Sequence, residues 1–374
     1  MRLVVSGGGT GGHVYPALAV ARALRDARPD LELSYVGGAR GLERRLVGDA
    51  LPYHQLVVRS LRSVERDVHL VLDPLRLGAS VPQAAVLLRR IGPAAVFTTG
   101  GYLGIPLVMA ARALRIPTLL WEGNVIAGRA TAAVGRLATR VAVAFPPTLG
   151  TFPGRSFVSG TPIRSFAGVE REAARRSFWV GADDRLLLAF GGSQAVTRLT
   201  DALQAALERL LVDWQVLHVA GDAGLPDAEA LRAGLPPELG ERYHPVPFLT
   251  DRMAGALVAA DLVLGRAGSS TCAEVTAVGV ASILVPYPYA GAHQRANAAW
   301  LGERGAAVVV PDGELDGDRL LAEASRLRDD AARSRMAQAA LALGRPDAAA
   351  AIAAELLALA EQRPLPSLAA EAGS

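Results

Sequence analysis

One pattern constrains this chain more than any other: an apolar run, a glycine-rich loop and an alanine- or leucine-rich stretch follow one another twice. The first copy surrounds the loop GGGTGGH at residues 7–13, and the second surrounds the loop GGSQ at residues 191–194. A buried strand that turns abruptly into a helix favours glycine, which accepts positive φ and close backbone approach. The repeat therefore predicts two similar α/β domains.

Each copy opens a series in which strand-like apolar runs alternate with helical stretches. This alternation is typical of a parallel, doubly wound sheet. The predicted strands are residues 3–6, 33–36, 95–99, 118–121 and 141–144 in the first half, and residues 186–190, 215–219, 262–264, 282–285 and 307–310 in the second.

The point where the pattern restarts sets the expected domain boundaries. We predict one Rossmann-like domain at residues 1–160 and a second at residues 161–345. A helical stretch is predicted for residues 320–362. Residues 346–374 are expected to form a C-terminal helix and tail, which is a candidate to pack back on the N-terminal domain.

Composition excludes several classes of protein. The chain has 374 residues, 51% hydrophobic and 20% charged, so it can form packed cores. Cys272 is the only cysteine, which excludes an intramolecular disulfide. No run of aromatic and basic residues indicates nucleic-acid binding. The sequence does not show the charged, apolar and cleavage segments of a signal peptide, nor an apolar stretch long enough to span a membrane. We therefore expect a cytoplasmic protein whose membrane contact is peripheral.

The first glycine loop is expected to bind a phosphate or a polar sugar, because a helix that follows such a loop presents unpaired N–H groups. It matches the dinucleotide-binding spacing only loosely, and no acidic residue ends the second predicted strand, YVGG at residues 35–38. His13 at the mouth of the loop is a candidate general base. A histidine that only caps the helix remains the alternative.

Two segments of the second half carry hydroxyl groups where helices are expected to begin. In the second loop, Ser193 and the backbone amides are suited to a pyrophosphate, although a serine N-cap explains Ser193 equally well. In RAGSSTCAE at residues 266–274, Glu274 follows Ser270 by about one helical turn, and its carboxylate is suited to the paired hydroxyls of a ribose. A capping pair would have the same sequence.

A fourth segment, HQRAN at residues 293–297, groups imidazole and amide side chains after a strand end, as sugar-binding sites do. A solvated loop is the alternative. No Asp-x-Asp motif stands at a predicted strand end, so the sequence predicts neither a metal ion nor another cofactor.

Together these motifs resemble those of the MurG family of peptidoglycan glycosyltransferases, in the same order and over nearly the whole chain. The resemblance rests on residues 8–16, 100–102, 122–128, 191–194, 266–274 and 293–297. It implies the GT-B fold, in which two Rossmann-like domains face an interdomain cleft.

The resemblance also implies a reaction. N-acetylglucosamine (GlcNAc) passes from UDP-GlcNAc to the 4-hydroxyl of the muramoyl sugar of undecaprenyl-pyrophosphoryl-MurNAc-pentapeptide (lipid I), with inversion, and lipid II is formed. Such an enzyme works at the cytoplasmic face of the cell membrane, as a peripheral protein. Other cell-wall synthesis proteins are left open as partners.

The residues that match the family's donor contacts lie in the first glycine loop, in the two segments with serine at a predicted helix start, and at Phe248 and Leu249, which would flank the uracil. They are Thr10, Gly11, Gly12, Asn124, Arg164, Ser193, Phe248, Leu249, Ser269, Ser270, Thr271, Glu274, His293 and Gln294. By resemblance, Glu274 holds the ribose, Gln294 and Asn124 bind the GlcNAc hydroxyls, and Arg164 with helix N-termini carries the charge of the leaving pyrophosphate.

For catalysis, His13 is the first candidate general base and Glu122 the second. The chain departs from the family at two places beside inferred contacts. Trp121 and Gly123 stand where histidine and glutamine are usual, and Thr161 stands where asparagine is common. These changes put the local geometry at Asn124 and Arg164 in doubt.

An apolar segment edged by arginines lies between the second and third predicted strands. Its arginines are Arg59, Arg62, Arg66, Arg89 and Arg90, and its apolar residues are Leu61, Val64, Leu70, Val71, Leu72, Leu75 and Leu77. Such a patch is suited to an anionic membrane surface. A core helix with a solvated edge would show the same pattern.

Three other functions remain compatible with the sequence. A different GT-B transferase would share the nucleotide site and differ in the N-terminal half. A UDP-GlcNAc 2-epimerase-like enzyme would share the fold, but it needs several acidic and basic groups, of which the sequence offers few. A nucleotide-binding regulator without catalysis is the third, and the presence of His13, Glu274 and Gln294 argues against it.

Overall fold

The computed structural model describes residues 1–38, 42–48, 50–57, 69–191, 197–288 and 293–367. The chain divides into two compact units, called unit 1 (Met1–Ile163 with Asp347–Ser374) and unit 2 (Arg164–Pro346). Each unit is built on its own parallel sheet with helical connections. The predicted α/β class with two Rossmann-like domains is therefore confirmed.

In the described part of unit 1, seven parallel strands form one sheet in the order β3-β2-β1-β4-β5-β6-β7. The strands are β1 (Arg2–Ser6), β2 (Glu32–Gly38), β3 (Tyr53–Leu56), β4 (Ala95–Thr98), β5 (Thr118–Glu122), β6 (Arg140–Val143) and β7 (Ser156–Val158). The chain order reverses at β1, which pairs with β2 on one side and β4 on the other. Ligands of such sheets bind outside the carboxyl ends of the strands at this point.

The helices that connect these strands are α1 (Gly11–Ala27), α2 (Leu42–Val47), α3 (His69–Ile91), α4 (Gly101–Ala113) and α5 (Arg129–Gly135). The sequence placed residues 7–13 in a loop, but α1 already begins at Gly11. The backbone N–H groups of His13 and Val14 already donate to the carbonyl of Thr10, at 3.0 and 3.1 Å. His13 therefore lies in the first turn of the helix and not in a preceding loop.

In the described part of unit 2, six parallel strands form a second sheet in the order β10-β9-β8-β11-β12-β13. They are β8 (Leu186–Phe190), β9 (Gln215–Val219), β10 (Tyr243–Val246), β11 (Leu262–Gly265), β12 (Ala281–Leu284) and β13 (Val308–Val309). The order reverses at β8, so this strand corresponds to β1 of unit 1. The repeat seen in the sequence is thus a repeat of topology.

The helices of unit 2 are α6 (Arg171–Ser177), α7 (Thr197–Leu211), α8 (Gly221–Gly234), α9 (Pro237–Gly240), α10 (Met253–Ala259), α11 (Ser269–Val278), α12 (His293–Gly302), α13 (Gly317–Arg326) and α14 (Asp330–Leu343). A last helix, α15 (Ala348–Ala360), belongs to unit 1.

The single helical stretch predicted for residues 320–362 is instead three helices. The break between α13 and α14 ends at Asp329. The side chain of Asp329 accepts a hydrogen bond from the N–H of Ala331 at 3.1 Å and so caps the start of α14. Gly344 and Pro346 lie in the break between α14 and α15. Proline cannot continue the hydrogen bonding of a helix interior, so α14 and α15 are separate.

Both sheets are covered by helices, so their central strands are buried on both faces. All residues of β4, β5 and β6 are buried, as are all residues of β8 and β11. This is why the strands appear in the sequence as continuous apolar runs without alternation. No helix in the described ranges is both long and apolar enough to span a bilayer.

A buried ion pair attaches the C-terminal helix to the sheet of unit 1. Arg140 on β6 donates from Nε to Glu355 on α15 at 3.1 Å, and the two side chains are 6% and 1% exposed. Ser367 donates its backbone N–H and its hydroxyl to the same carboxylate, at 3.1 and 2.7 Å. Removing one member would leave the other charge buried without a partner.

We expect Glu355→Ala to lower the free energy of unfolding by about 3–5 kcal/mol, because Arg140 would lose its countercharge in the interior. Arg2→Ala is the control. Arg2 pairs with Glu32 at the surface, where the two side chains are 54% and 68% exposed, and its loss should cost less than about 1 kcal/mol. Urea denaturation measures both; equal values for the two variants would contradict this account of Arg140–Glu355.

Candidate active site

In unit 1, the candidate site begins at the glycine loop between β1 and α1. Gly9 has a φ of 94°, which favours glycine. His13 follows in the first turn of α1, and its Nδ1 lies 2.9 Å from the carbonyl oxygen of Thr99. A carbonyl only accepts, so Nδ1 carries the hydrogen, and in the neutral ring Nε2 carries the lone pair. The arrangement is that of a base with a fixed tautomer.

A glycine pair at the end of β4 lies against this histidine. Gly100 and Gly101 have φ values of 77° and 65°, and they begin α4. A Cβ built on Gly101 would lie 3.6 Å from Nε2 of His13. Thr99 also donates its hydroxyl to the carbonyl of His13 at 3.1 Å. The start of α1 and the end of β4 are therefore joined by reciprocal hydrogen bonds.

Glu122 ends β5, is 4% exposed and organises the loop that follows it. Its Oε1 accepts from the backbone N–H and the side-chain amide of Asn124, both at 3.0 Å. Its Oε2 accepts from the N–H of Gly128 at 3.0 Å. The carboxylate thereby fixes both the fold of residues 123–128 and the orientation of the Asn124 side chain.

In unit 2, β11 leads into α11 through Gly268, and the first turn of α11 carries three half-buried hydroxyl residues. Ser269, Ser270 and Thr271 occupy its first three positions. The first turn of a helix directs backbone N–H groups outward, and with the hydroxyls they form a surface suited to a phosphate. The next residue, Cys272, is buried, and burial raises the pKa of its thiol to about 12.

An ion pair joins three of the predicted contact segments in unit 2. Arg164 donates from Nε to Oε1 of Glu274 at 2.8 Å and from Nη1 to the carbonyl of Thr250 at 3.0 Å. Burial raises the pKa of Glu274 above its ordinary value, while Arg164 acts in the opposite direction. Among the described residues, no donor bonds Oε2 of Glu274. That oxygen is therefore available to the hydroxyls of a ligand.

Next to Thr250, Phe248 is 59% exposed and Leu249 is 5% exposed. Arg164 thus connects the segment predicted to hold a nucleobase with the carboxylate predicted to hold a ribose. His293 and Gln294 begin α12, and Oε1 of Gln294 accepts from the N–H of Tyr287 at 2.9 Å. This bond orients the amide so that its NH2 group points away from Tyr287.

Two predictions fall on residues outside the described ranges. These are Ser193, and the arginine-edged segment at Arg59, Leu61, Arg62, Val64 and Arg66. The side chains of residues 69–77 are likewise outside the description, whereas Arg89 and Arg90 lie exposed on α3. In the described part of the chain, no three histidine, cysteine, aspartate or glutamate side chains come together as metal ligands would.

Sequence reasoning missed two residues that hold the first loop. Thr99 is one, and its position directly before the glycine pair at a strand end was an available signal. The other is Glu43 on α2, whose buried carboxylate accepts from the N–H of Gly38 at 2.9 Å and, more weakly, of Gly9 at 3.5 Å. No motif marked Glu43. A dinucleotide-binding fold carries an acidic residue at the end of its second strand, whereas Glu43 lies five residues after Gly38, the last residue of β2.

Comparison with protein families gives matches in both units. The model of the glycosyltransferase family 28 N-terminal domain matches residues 3–143, and that of the C-terminal domain matches residues 186–352. Curated relatives named UDP-N-acetylglucosamine–N-acetylmuramyl-(pentapeptide) pyrophosphoryl-undecaprenol N-acetylglucosamine transferase include proteins of Desulforudis audaxviator and Listeria monocytogenes. The first is 40% identical over 93% of this chain and 95% of its own, and the second is 36% identical over 96% and 99%.

Solved structures agree with these relatives. The crystal structure of Acinetobacter baumannii MurG is 32% identical, superimposes with a TM-score of 0.77 and covers 95% of this chain and 99% of its own. A Listeria monocytogenes protein described as a UDP-N-acetylglucosamine 2-epimerase has a TM-score of 0.72, covers 98% of both chains and is 15% identical. That second likeness is one of fold alone.

We expect Cys272 to resist alkylation in the folded protein. Because burial raises its pKa to about 12, about one thiol in ten thousand is ionised at pH 8, and the thiolate is the reactive form. Mass spectrometry after treatment with iodoacetamide should show no adduct in buffer and a complete adduct in urea. Rapid modification of the folded chain would show that the thiol is accessible and ionised.

Proposed function

The chain belongs to the MurG family of peptidoglycan glycosyltransferases, and from that premise we propose which of its residues perform the transfer. It is a UDP-GlcNAc-dependent hexosyltransferase of the GT-B fold that transfers GlcNAc to lipid I and forms lipid II. The family predicted from its glycine motifs is thereby confirmed. The residue roles given below are our proposal.

We assign the general base to His13, and the observation that carries this assignment is its bond to Thr99. The acceptor 4-hydroxyl oxygen forms a bond to the anomeric carbon of GlcNAc while the bond from that carbon to the β-phosphate oxygen breaks. The electron pair leaves with UDP, and the hydroxyl proton passes to Nε2 of His13. Since attack and departure occur on opposite sides, the configuration inverts.

Glu122, the second candidate base, fits a positioning role better. Three N–H groups of its own loop donate to the carboxylate at 3.0 Å. Proton transfer to this group would weaken all three bonds. We therefore propose that Glu122 orients Asn124, and that Asn124, with Thr10, Gly11 and Gly12, contacts the transferred sugar.

For the nucleotide, we propose that unit 2 supplies the contacts. Glu274 accepts from the ribose hydroxyls through Oε2, and Phe248 with Leu249 flanks the uracil. The first turn of α11 binds the diphosphate, together with Ser193. Gln294 and His293 bind the sugar hydroxyls, with the Gln294 amide oriented by Tyr287.

The charge that develops on the leaving diphosphate needs a cation. Arg164 uses two of its N–H donors for Glu274 and Thr250, and a guanidinium has five. We propose that the remaining donors, with the N-terminus of α11, stabilise the departing UDP. The ion pair to Glu274 holds the guanidinium in place before the substrate arrives.

His13→Ala should lower kcat by about 10²- to 10⁴-fold, because a positioned base contributes about that factor. The assay uses radiolabelled UDP-GlcNAc and a lipid I analogue, with UDP-GalNAc as the control donor. Binding of UDP, measured by calorimetry, should be unchanged, since its contacts are assigned to unit 2. His54→Ala, a histidine on β3 of the same unit, is the matched control and should keep wild-type turnover. Near-normal turnover of His13→Ala would show that His13 is not the general base.

The acceptor carries a long lipid, so we also propose that unit 1 contacts the cytoplasmic, anionic surface of the membrane and binds the acceptor there. Support comes from α3 and α4, which pack together. Val86 on α3 is 46% exposed and Met109 on α4 is 41% exposed, and Arg89 and Arg90 at the end of α3 are exposed as well. Apolar groups beside arginines are suited to a surface that is both apolar and anionic.

Flotation with liposomes tests this surface. We expect the wild type to float with vesicles that contain about 30% anionic lipid and to float less with neutral vesicles, because each basic residue near the surface contributes about 1 kcal/mol. Arg89→Glu/Arg90→Glu should abolish most of the binding. Arg335→Glu/Arg345→Glu, which reverses two exposed charges of unit 2, is the control. Equal flotation of both double variants would contradict the proposal.

A further inference from the structure

Glu43 is a buried carboxylate that the transfer mechanism does not yet use. It is 0% exposed, and among the described residues no arginine or histidine pairs with it. Its Oε1 accepts from the N–H of Gly38 at 2.9 Å, and its Oε2 lies 3.5 Å from the N–H of Gly9. A buried carboxylate without a cation needs such N–H donors to offset its loss of water.

This carboxylate lies directly against the first glycine loop. A Cβ built on Gly8 would be 2.8 Å from Oε1 of Glu43, so only glycine leaves room for it. Gly9 directly precedes Thr10, the N-cap of α1, and the positive end of the helix dipole is therefore close by.

Tyrosines complete the support of the same loop. Tyr35 donates its hydroxyl to the carbonyl of Gly7 at 2.5 Å, and Tyr53 donates to the carbonyl of Gly38 at 2.8 Å. Burial, and then the negative charge of Glu43, raise the pKa of both phenols, so they stay protonated and remain donors. Both carbonyl and N–H groups of the loop region are thus bonded from the protein interior.

We propose that Glu43 is a positioning residue of the transfer reaction: its carboxylate holds Gly8 and Gly9 in place, and through them the first turn of α1 that carries His13. The proposal rests on the assignment of His13 as the base. His13 follows Gly9 by four positions, in the first turn of α1, and a Cβ on Gly7 would lie 2.4 Å from the carbonyl of His13. A shift of the loop therefore moves the imidazole relative to the acceptor hydroxyl.

Glu43→Gln tests this role, because glutamine keeps the size but presents an NH2 group to one of the two N–H donors. We expect kcat to fall by about 10- to 100-fold, the effect of misplacing a catalytic group by about 1 Å. The Kd for UDP, measured by calorimetry, should change by less than about threefold, since the nucleotide contacts are assigned to unit 2. Glu43→Asp, which keeps the charge and shortens the reach, should lose kcat in the same way.

A double-mutant cycle separates positioning from a general loss of stability. In the His13→Ala background, Glu43→Gln should lower kcat by less than about twofold, because the group that it positions is absent. Glu355→Gln is the matched control, a buried carboxylate of the same unit that also accepts from a backbone N–H. It should keep wild-type kcat at temperatures where circular dichroism shows it folded.

The outcomes are distinct. Wild-type kcat in a folded Glu43→Gln and in Glu43→Asp would overturn the positioning role, and so would a loss that is additive with His13→Ala. If Glu43→Gln does not fold, Glu43→Asp decides. If His13→Ala alone keeps its turnover, the assignment of the base fails instead, whatever the Glu43 variants show.

Discussion

The lack of space for any side chain at residues 7–9 is the constraint on which the catalytic part of unit 1 depends. A Cβ at the three positions would lie 2.4 Å from the carbonyl oxygen of His13, 2.3 Å from Leu103 Cδ1 and 2.9 Å from Tyr102 Cε1, respectively. All three distances are shorter than van der Waals contact. Gly7 and Gly8 are therefore packed like core residues, whereas Gly9 is exposed and has a φ of 94°. The position of His13 follows from the backbone packing at Gly7 and Gly8.

Buried carboxylates then fix the loops that this packing brings together. Glu122 accepts from backbone N–H groups of the loop after β5, Glu43 accepts from the last residue of β2 and more weakly from Gly9, and Glu274 accepts from Arg164. In each case a charge that would be costly to bury is offset by donors that belong to a loop. The cost of burial thus ties each loop to one conformation, which is what a site needs if it is to meet a transition state without rearrangement.

The sequence predicted the features that depend on neighbours along the chain and missed those that depend on distant ones. The strand, glycine loop and helix of each unit were found because apolar runs and glycines lie side by side. The support of His13 by Thr99 joins residues 86 positions apart, and that of Gly9 by Glu43 joins residues 34 apart. The breaks between the helices of residues 320–362 are an exception, because Asp329, Gly344 and Pro346 mark them locally and were outweighed by the alanine-rich sequence on either side.

The first glycine loop of unit 1 and the start of α11 in unit 2 have different charged neighbours, and this difference supports the different roles proposed for the two units. Glu43 lies beneath the loop of unit 1 and already accepts from the N–H of Gly9. Its negative charge would therefore repel a phosphate that approached this N–H group. In unit 2 the acid on α11, Glu274, is paired with Arg164, and the first turn of α11 carries no acidic residue. A diphosphate is therefore favoured in unit 2 by a guanidinium and a helix N-terminus, and disfavoured at the loop of unit 1. This supports the proposal that the loop of unit 1 contacts the uncharged sugar and carries the base, while unit 2 binds the nucleotide.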